Sequence, residues 1–569
     1  MAYLLMTGFA FAELECCILT RFAAVANAVA DVAMSPMRHA CSMIISASIS
    51  GCRRTREAEN WEAGRGLENL DPALPPQRWW SKKAWHEPLG KSRKGRPGRR
   101  RARPLRGQLL SPETSLGTKD DDRTRRAFGT GFGVGLEAGR HFHVLPLSIF
   151  DEEGYMEIRN QALRQLKNRR EGFSLEQAFY TDPSYYKLDL EMIWYRDWLF
   201  VGHDCELPKA GAYFTLQIGD YPVVVVRGRD NQIRALHNTC RHRGSRVCTK
   251  EHGSAVRLVC PYHQWTYELD GSLLVGRQMG QDFDKTQFAM KKVHCESVAG
   301  YIFICLANEA PDFAPVRASI EPYLAPHRLW EAKVAHQSTI IEKGNWKLVW
   351  ENNRECYHCA ANHPELCRTY PESPTATGVQ GAKDDPVIAA HWQRCEEAGL
   401  PSEFRMDETG QFRVARMPLI EDAESYTMTG RNAVQRRLSD DVTINSIGTM
   451  LLFHYPSSWN HILGDHAISF RVTPLGPEET AVTTKWLVHK DAVEGVDYNL
   501  EELTHVWNMT NDQDRQIVEE NAFGIRSPAY EPGPYSPLHE GGVMQFVEWY
   551  SNFMVNRLQG DQAKLSIVA

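Results

Sequence analysis

Two pairs of cysteine and histidine stand out for what they could bind. Cys240 and His242 are one residue apart; after 17 intervening residues come Cys260 and His263, two residues apart. Thiolate and imidazole both suit zinc and iron–sulfur clusters. Zinc fingers gather like ligands, Cys from one element and His from another, whereas here each short segment supplies one of each. That mixed order suits an asymmetric 2Fe-2S cluster, with two Cys on one iron and two His on the other. Histidine ligation raises the reduction potential over an all-Cys cluster, which makes the site a good electron acceptor. The competing reading is a small structural zinc site. Any of the four residues alone would say little; four at this spacing carry the argument.

A second set lies in NWKLVWENNRECYHCAANHPEL, residues 345–366, where His358 and His363 are five apart. On a straight helix five residues turn about 500°, leaving the side chains about 140° apart. Both can face one metal only if the helix ends between them. Pro364 supplies that ending by pushing the residue before it out of the α region. The expectation is His358 in the last helical turn and His363 just beyond. Glu355, three residues before His358, shares its face and is close enough to orient a ligand or bridge to another site. Two His and one carboxylate with open positions is the ligand set of oxygen-activating non-haem Fe(II). The acidic stretch TNDQDRQIVEE offers Asp512, Asp514, Glu519 and Glu520; spacing alone does not choose among them.

The elements that must position these residues change along the chain. From Tyr213 there are short β-rich runs, YFTLQIG, YPVVVVRG, IRALHNTC, TYELDGSLL and GYIFICLA, with Asp270-Gly271 as a hairpin turn. They predict an all-β domain over 194–311, preceded by a helical lead-in over 156–193. Beyond it, 345–361, 499–523 and 539–558 read as helices, and 448–473 and 479–489 as long strands, giving an α+β domain over 312–560.

The net charge of −6 hides a division. Residues 1–155 carry a balance of +6 and the rest −12. The first part shows no sustained period and contains the basic, Gly/Pro-broken run KSRKGRPGRRRARPLR, Lys91 to Arg106. It reads as a solvated tail or as upstream sequence ahead of a true start at Met156. A nucleic-acid arm or a transit peptide are the lesser alternatives. Gly133-Val134-Gly135-Leu136-Glu137-Ala138 fits a dinucleotide pattern but lacks the strand before it and the βαβ unit after it. No flavin or NAD fingerprint remains, so reducing equivalents are expected from another protein. Fourteen cysteines interleaved with histidines read as metal ligation in a reducing compartment, not as a disulfide framework. No apolar run reaches membrane-spanning length, and the expected location is cytoplasmic.

CRHRGSRVC and CPYHQWTYELDG, taken with NWKLVWENNRECYHCAANHPEL, resemble the signatures of the α subunit of Rieske non-haem iron oxygenases. The resemblance spans roughly Met156 to Leu558. TTKWLVHKDAVEGVDY, TNDQDRQIVEEN and AYEPGPYS are similar to the quaternary-amine branch, above all to its glycine betaine-demethylating members. It implies a Rieske domain followed by a helix-grip catalytic domain with an antiparallel sheet. It also implies one 2Fe-2S cluster on Cys240, His242, Cys260 and His263, and one mononuclear Fe(II). The family's third iron ligand is an Asp five residues before a Glu, which picks Asp514 with Glu519. Glu355 takes the position that bridges to a cluster histidine of a neighbouring subunit, in a homotrimer served by a separate reductase. The implied reaction is O₂-dependent N-demethylation of a quaternary ammonium compound, glycine betaine to dimethylglycine and formaldehyde. Stachydrine, carnitine or choline are the nearest alternatives, then an aromatic-ring dioxygenase or a plain electron carrier. Cation–π contacts would hold the ammonium; Phe453, Tyr455, Trp459 and Phe470 are candidates, none of them assigned.

Overall fold

The computed structural model describes residues 152–371 and 384–568. The Lys91–Arg106 run, the Gly133–Ala138 match and nearly all of the expected extension lie outside the described residues. The first helix, Glu152–Asn168, starts ahead of Met156, so the boundary expected after residue 155 falls inside a helix. Tyr155 is bound into the fold: its phenol hydrogen-bonds Glu191, and the Lys187 ammonium lies 5.1 Å from its ring. Short helices Ala178–Thr181 and Pro183–Asp189 complete the lead-in with a π-turn, Leu190–Trp194. Asp182 caps the second of them, accepting the Ser184 N–H at 2.7 Å ahead of a proline at the first helical position.

Each of the five β-rich runs contains a strand, and further strands lie between and before them. Strands β1 (Leu199–His203), β2 (Ala212–Ile218), β3 (Tyr221–Arg227), β4 (Ile233–His237) and β5 (His252–Ser254) form part of one sheet. After the short strands β6 (Leu258–Val259), β7 (Thr266–Tyr267) and β8 (Leu273–Val275), β9 (Lys292–Val298) and β10 (Tyr301–Cys305) return to it. Its order is β1-β10-β9-β4-β3-β2-β5, while β6-β7-β8 make a separate three-stranded sheet. Val223 to Val226 are all fully buried, which explains why β3 reads as an unbroken apolar run instead of an alternation. Gly271, at φ +89°, makes the turn between β7 and β8.

The second sheet is antiparallel throughout, in the order β11-β17-β16-β15-β14-β13-β12. Its strands are β11 (Ala332–Glu342), β12 (Arg405–Met406), β13 (Phe412–Met417), β14 (Thr449–His454), β15 (Ser458–Ile462), β16 (His466–Gly476) and β17 (Glu479–His489). Here one expectation fails. The stretch 448–473, read as a single strand, folds back twice to make β14, β15 and most of β16. All of β14 and β15 is buried, so no polar alternation marks the reversals. Pro456, which cannot donate to a ladder, was the available signal for the first of them. Strand β17 has the expected limits.

The long helix Leu500–Ile525 lies along β11 and against the helix Trp346–Asn353. The C-terminal helix Gly541–Val568 packs on Trp346–Asn353 and on Glu152–Asn168. A buried cluster joins these elements. Asp189 accepts the Trp346 indole N–H at 3.0 Å and the Tyr550 hydroxyl at 2.6 Å, and it pairs with Lys347 where neither side chain has any exposure. Among the described residues no helix is long and apolar enough to cross a membrane.

Candidate metal centres

The first centre is built by two loops that close in the same way. The Cys240 N–H donates to the Ser245 carbonyl at 2.8 Å, and the Gly244 N–H to the Cys240 carbonyl at 2.9 Å. In the second loop the Cys260 N–H donates to Trp265 at 2.9 Å, and the Gln264 N–H to Cys260 at 3.0 Å. The residue four after each cysteine sits in the left-handed region, Gly244 at φ +80° and Gln264 at φ +61°. Two matched turns thus present one Cys and one His each. The cysteines are buried and their thiols adjoin. His242 Nδ1 and His263 Nδ1 face each other at 3.2 Å. Two nitrogen ligands about 2.1 Å from a tetrahedral metal lie about 3.4 Å apart, so the pair fits one iron. Trp265 stacks on His242 (4.9 Å, 10°) and Tyr262 on His263 (3.9 Å, 25°), fixing both rings. The Tyr267 hydroxyl lies 3.2 Å from Cys240 Sγ. Burial pushes the Cys240 thiol up although that hydroxyl opposes it; a free thiol here stays protonated until a metal takes it.

The second centre departs locally from expectation. The helix expected over 345–361 stops at Asn353. Arg354 ends it with its guanidinium 4.3 Å from the Phe453 ring, and its carbonyl would lie 2.2 Å from any Cβ at Gly542, where the C-terminal helix crosses. Glu355 is therefore not on the helix. His358 is not in a last turn either: it caps the N-terminus of a one-turn helix, Cys359–Asn362, and His363 ends that helix with φ −120° and ψ 64°. The two ligand candidates bracket a single turn. The pre-proline restriction holds for His363, but the long helix breaks before His358, not after it.

The bracket works. His358 Nε2 lies 3.3 Å and His363 Nε2 3.0 Å from the same oxygen, Asp514 Oδ1. The His363 ring nitrogen is buried and makes no well-directed hydrogen bond there, as when donors converge on a shared point. Each Nδ1 is held by an acceptor: Glu355 Oε1 for His358 and Gln513 Oε1, at 2.9 Å, for His363. That leaves both Nε2 atoms for a metal. Gln513 is itself anchored, its amide donating to Glu365 at 2.9 Å, and Asn352 donates to Asp514 at 2.7 Å. Burial would lower the His358 pKa, but Asp514 and Glu355 raise it to about 10. Burial likewise raises the Asp514 carboxyl, and the two imidazoles more than offset that, holding it below its usual value. The other three acids point elsewhere: Asp512 pairs with Arg515 at 2.6 Å, Glu519 with the same arginine at 3.1 Å, and Glu520 is exposed. Both donor sets fit their expected occupants: two thiolates and two imidazoles for a cluster, two imidazoles and one carboxylate for Fe(II).

Sequence reasoning missed several residues around these sites. Asn238 pins the first loop, accepting the Val247 and Cys248 N–H groups at 3.0 and 2.8 Å. Glu342, the last residue of β11, is buried, and its Oε2 has no hydrogen-bond partner among the described residues. Burial, then Asp514 and Glu519, push its carboxyl up to about 8. It lines a cavity of about 20 Å³ with Asn353, Trp459, Trp507 and Asp514, room for roughly one water. Nothing in its own stretch of sequence marks it. Of the four aromatic candidates, Trp459 reaches this cavity, with Phe470 stacked behind it at 5.1 Å. Phe453 lies under Arg354, and Tyr455 under Arg413 at 4.7 Å.

The chain matches the Rieske [2Fe-2S] domain over residues 197–294 and the Ring hydroxylating alpha subunit (catalytic domain) over 329–556. It is 47% identical over 417 residues to the glycine betaine monooxygenase oxygenase subunit of Chromohalobacter salexigens, covering 72% of this chain and 92% of that one. To the Pseudomonas aeruginosa (strain UCBPP-PA14) protein of that name it is 46% identical over 418 residues, 72% of this chain and 96% of that one. Its fold is shared with the quaternary ammonium Rieske monooxygenase CntA crystallised with L-carnitine: TM-score 0.51, 20% identity, 69% of this chain and 98% of that one. With both domain matches in chain order and near-half identity along its relatives, this chain belongs to the Rieske non-haem iron oxygenase α subunits, enzymes that pair a [2Fe-2S] domain with a mononuclear-iron catalytic domain.

Proposed function

We propose that the chain is the oxygenase component that N-demethylates glycine betaine to dimethylglycine and formaldehyde. The observation that carries this reading is the convergence of His358 Nε2 and His363 Nε2 on Asp514 Oδ1 at 3.3 and 3.0 Å, within a chain nearly half identical to named glycine betaine monooxygenases. His358, His363 and Asp514 would hold Fe(II), and Cys240, His242, Cys260 and His263 the cluster. When bound, these groups supply O₂ activation at the iron and single electrons from the cluster, refilled by a separate reductase.

The chain's own residues do the rest. Glu355 and Gln513 fix the Nδ1 protons of the two imidazoles, so the faces offered to the metal do not change during turnover. Trp459 and Trp507 present aromatic surface beside Asp514, the surface a quaternary ammonium needs because it has no proton to donate. A trimethylammonium group exceeds the present 20 Å³, so admitting it requires the lining side chains to move. The product of methyl hydroxylation is an N-hydroxymethyl ammonium, which breaks down to formaldehyde, a proton and the demethylated amine.

The trimer belongs to the same reading. The cluster imidazoles are half-buried beside Tyr262, 57% exposed, so they sit at the surface of their domain. Tyr357, 59% exposed, lies next to the Glu355–His358 pair. Docking one surface on the other in a neighbouring subunit would put Glu355 between the two metal sites, in the bridging role. Cytoplasmic residence belongs to the same reading, none of the described cysteines being in a disulfide. Residues 1–155 are proposed as an extension outside the catalytic unit, trimmed at its end by the helix that starts at Glu152.

Product analysis tests the reaction. Purified chain, a compatible reductase, NADH and a panel of betaines should yield formaldehyde with glycine betaine above all others. Formaldehyde from carnitine or stachydrine, with none from glycine betaine, would overturn the substrate assignment and leave the class standing.

A further inference from the structure

We propose that Cys356 and Cys359 are a peroxide-sensitive modification site, closing a reversible disulfide around the turn that carries His358. The two cysteines enclose only Tyr357 and His358. The Cys359 N–H donates to the Cys356 carbonyl at 3.2 Å, so the four residues form a hydrogen-bonded turn. Such a turn brings its end Cα atoms within about 7 Å, and disulfides span Cα separations of about 4.4–6.8 Å. The two thiols lie close enough to influence each other's ionisation, and neither is in a disulfide. Cys356 is half-buried beside the exposed Tyr357, while Cys359 is buried. A small oxidant therefore meets Cys356 first. Behind it, Cys359 Sγ lies within 4.8 Å of the ring nitrogens of His358 and His363. Cys359 thus sits among the candidate iron ligands, and no step described above uses either thiol.

The oxidant is hydrogen peroxide. The Cys356 sulfur attacks one peroxide oxygen; the O–O bond breaks, an S–O bond forms and the first water leaves, giving a sulfenic acid. The Cys359 sulfur then attacks the Cys356 sulfur; the S–S bond forms, the S–O bond breaks and the second water leaves. Two thiols lose two electrons and two protons, and one peroxide becomes two waters. Thiol–disulfide exchange with a dithiol reverses the change. Because His358 lies inside the closed ring, the clasp moves it relative to His363 and Asp514. A displacement of 1 Å at a reacting centre costs on the order of 100-fold in rate.

The test uses the full chain as purified. Brief treatment with equimolar hydrogen peroxide, alkylation and peptide mapping should show a Cys356–Cys359 disulfide and the loss of two free thiols per chain. Turnover should fall on the order of 100-fold and recover with dithiothreitol. Cys356→Ser should form no disulfide and keep its turnover through the same treatment; Cys356→Ala serves if the serine variant does not fold. Intact thiols, a Cys359–Cys367 linkage, irreversible oxidation of Cys359, or equal inactivation of Cys356→Ser would each overturn the proposal. Disulfide mapping needs neither substrate nor reductase, so it stands apart from any failure of the betaine assignment.

Discussion

The two candidate metal centres are assembled in opposite ways. The cluster site is local: all four ligand candidates come from 24 consecutive residues, 240–263, on two turns closed by their own backbone, with both imidazoles near the surface. The iron site is global. His358 and His363 flank one turn, but Asp514 comes from a helix 151 residues further on, and His363 is only 1% exposed. The helices around it are tied by the buried Asp189–Lys347 pair. A local site needs only its loops intact; a global one needs the whole catalytic domain in register.

That contrast predicts how the molecule fails. Lys347→Ala leaves Asp189 charged and buried without its partner, a loss of about 3–5 kcal/mol. In a denaturant titration this variant should release mononuclear iron well before the cluster absorbance bleaches. Simultaneous loss of both metals would show that the two regions unfold as one unit and erase the distinction.

Glu355 sharpens it at one side chain. The carboxylate accepts from His358 Nδ1 and from the Tyr357 and His358 N–H groups. Glu355→Gln keeps an acceptor oxygen for the imidazole, so iron content should survive, while the proposed bridging role predicts that turnover falls. Glu355→Ala removes the acceptor and should weaken iron binding roughly 10–100-fold, with the cluster spectrum unchanged in both. Near-wild-type turnover in Glu355→Gln would remove the bridging role.

A smaller effect is the pH dependence of the iron site. Without metal, Asp514 and Glu355 raise the His358 pKa to about 10 despite burial, against about 6.5 in the unfolded chain. Protonated His358 therefore stabilises the metal-free fold fully below about 6.5, and this is lost as pH rises through about 10. Iron must expel that proton, so apparent iron affinity should rise up to about tenfold per pH unit over that window. Melting of the metal-free chain should weaken across the same window, while the iron-loaded chain stays flat. Iron affinity independent of pH would mean that His358 is not a ligand.

The same local–global division governs what could be read from the sequence. The candidate cluster loops were legible because Cys-x-His and Cys-x-x-His lie among recognisable β-rich runs, and each of the five runs contains a strand. In the catalytic domain the Glu479–His489 strand was legible as a β-branched run between turn residues, and the Leu500–Ile525 helix within two residues of its ends. The Gly448–Thr473 run was not, since strands buried on both faces hide their reversals. The early end of the Trp346–Asn353 helix was not either: Arg354 there packs on Phe453 and its carbonyl lies close against Gly542, contacts that no local spacing reveals. Asp514 was chosen through family resemblance, and spacing alone left four acids open. Gln513 and Glu342 acquire their meaning only when β11 and the long helix come together.

The central claim is that one chain carries two independent iron sites, built by separate residues. Parallel iron, sulfide and visible-spectrum analysis of Asp514→Ala and Cys260→Ser tests it most directly. Asp514→Ala should keep the full cluster spectrum and acid-labile sulfide and lose one iron per chain; Cys260→Ser should lose colour and sulfide and keep the mononuclear iron. Both should release no formaldehyde from glycine betaine. If Asp514→Ala retains its mononuclear iron, or if Cys260→Ser leaves the cluster spectrum intact, the assignment of these residues is wrong.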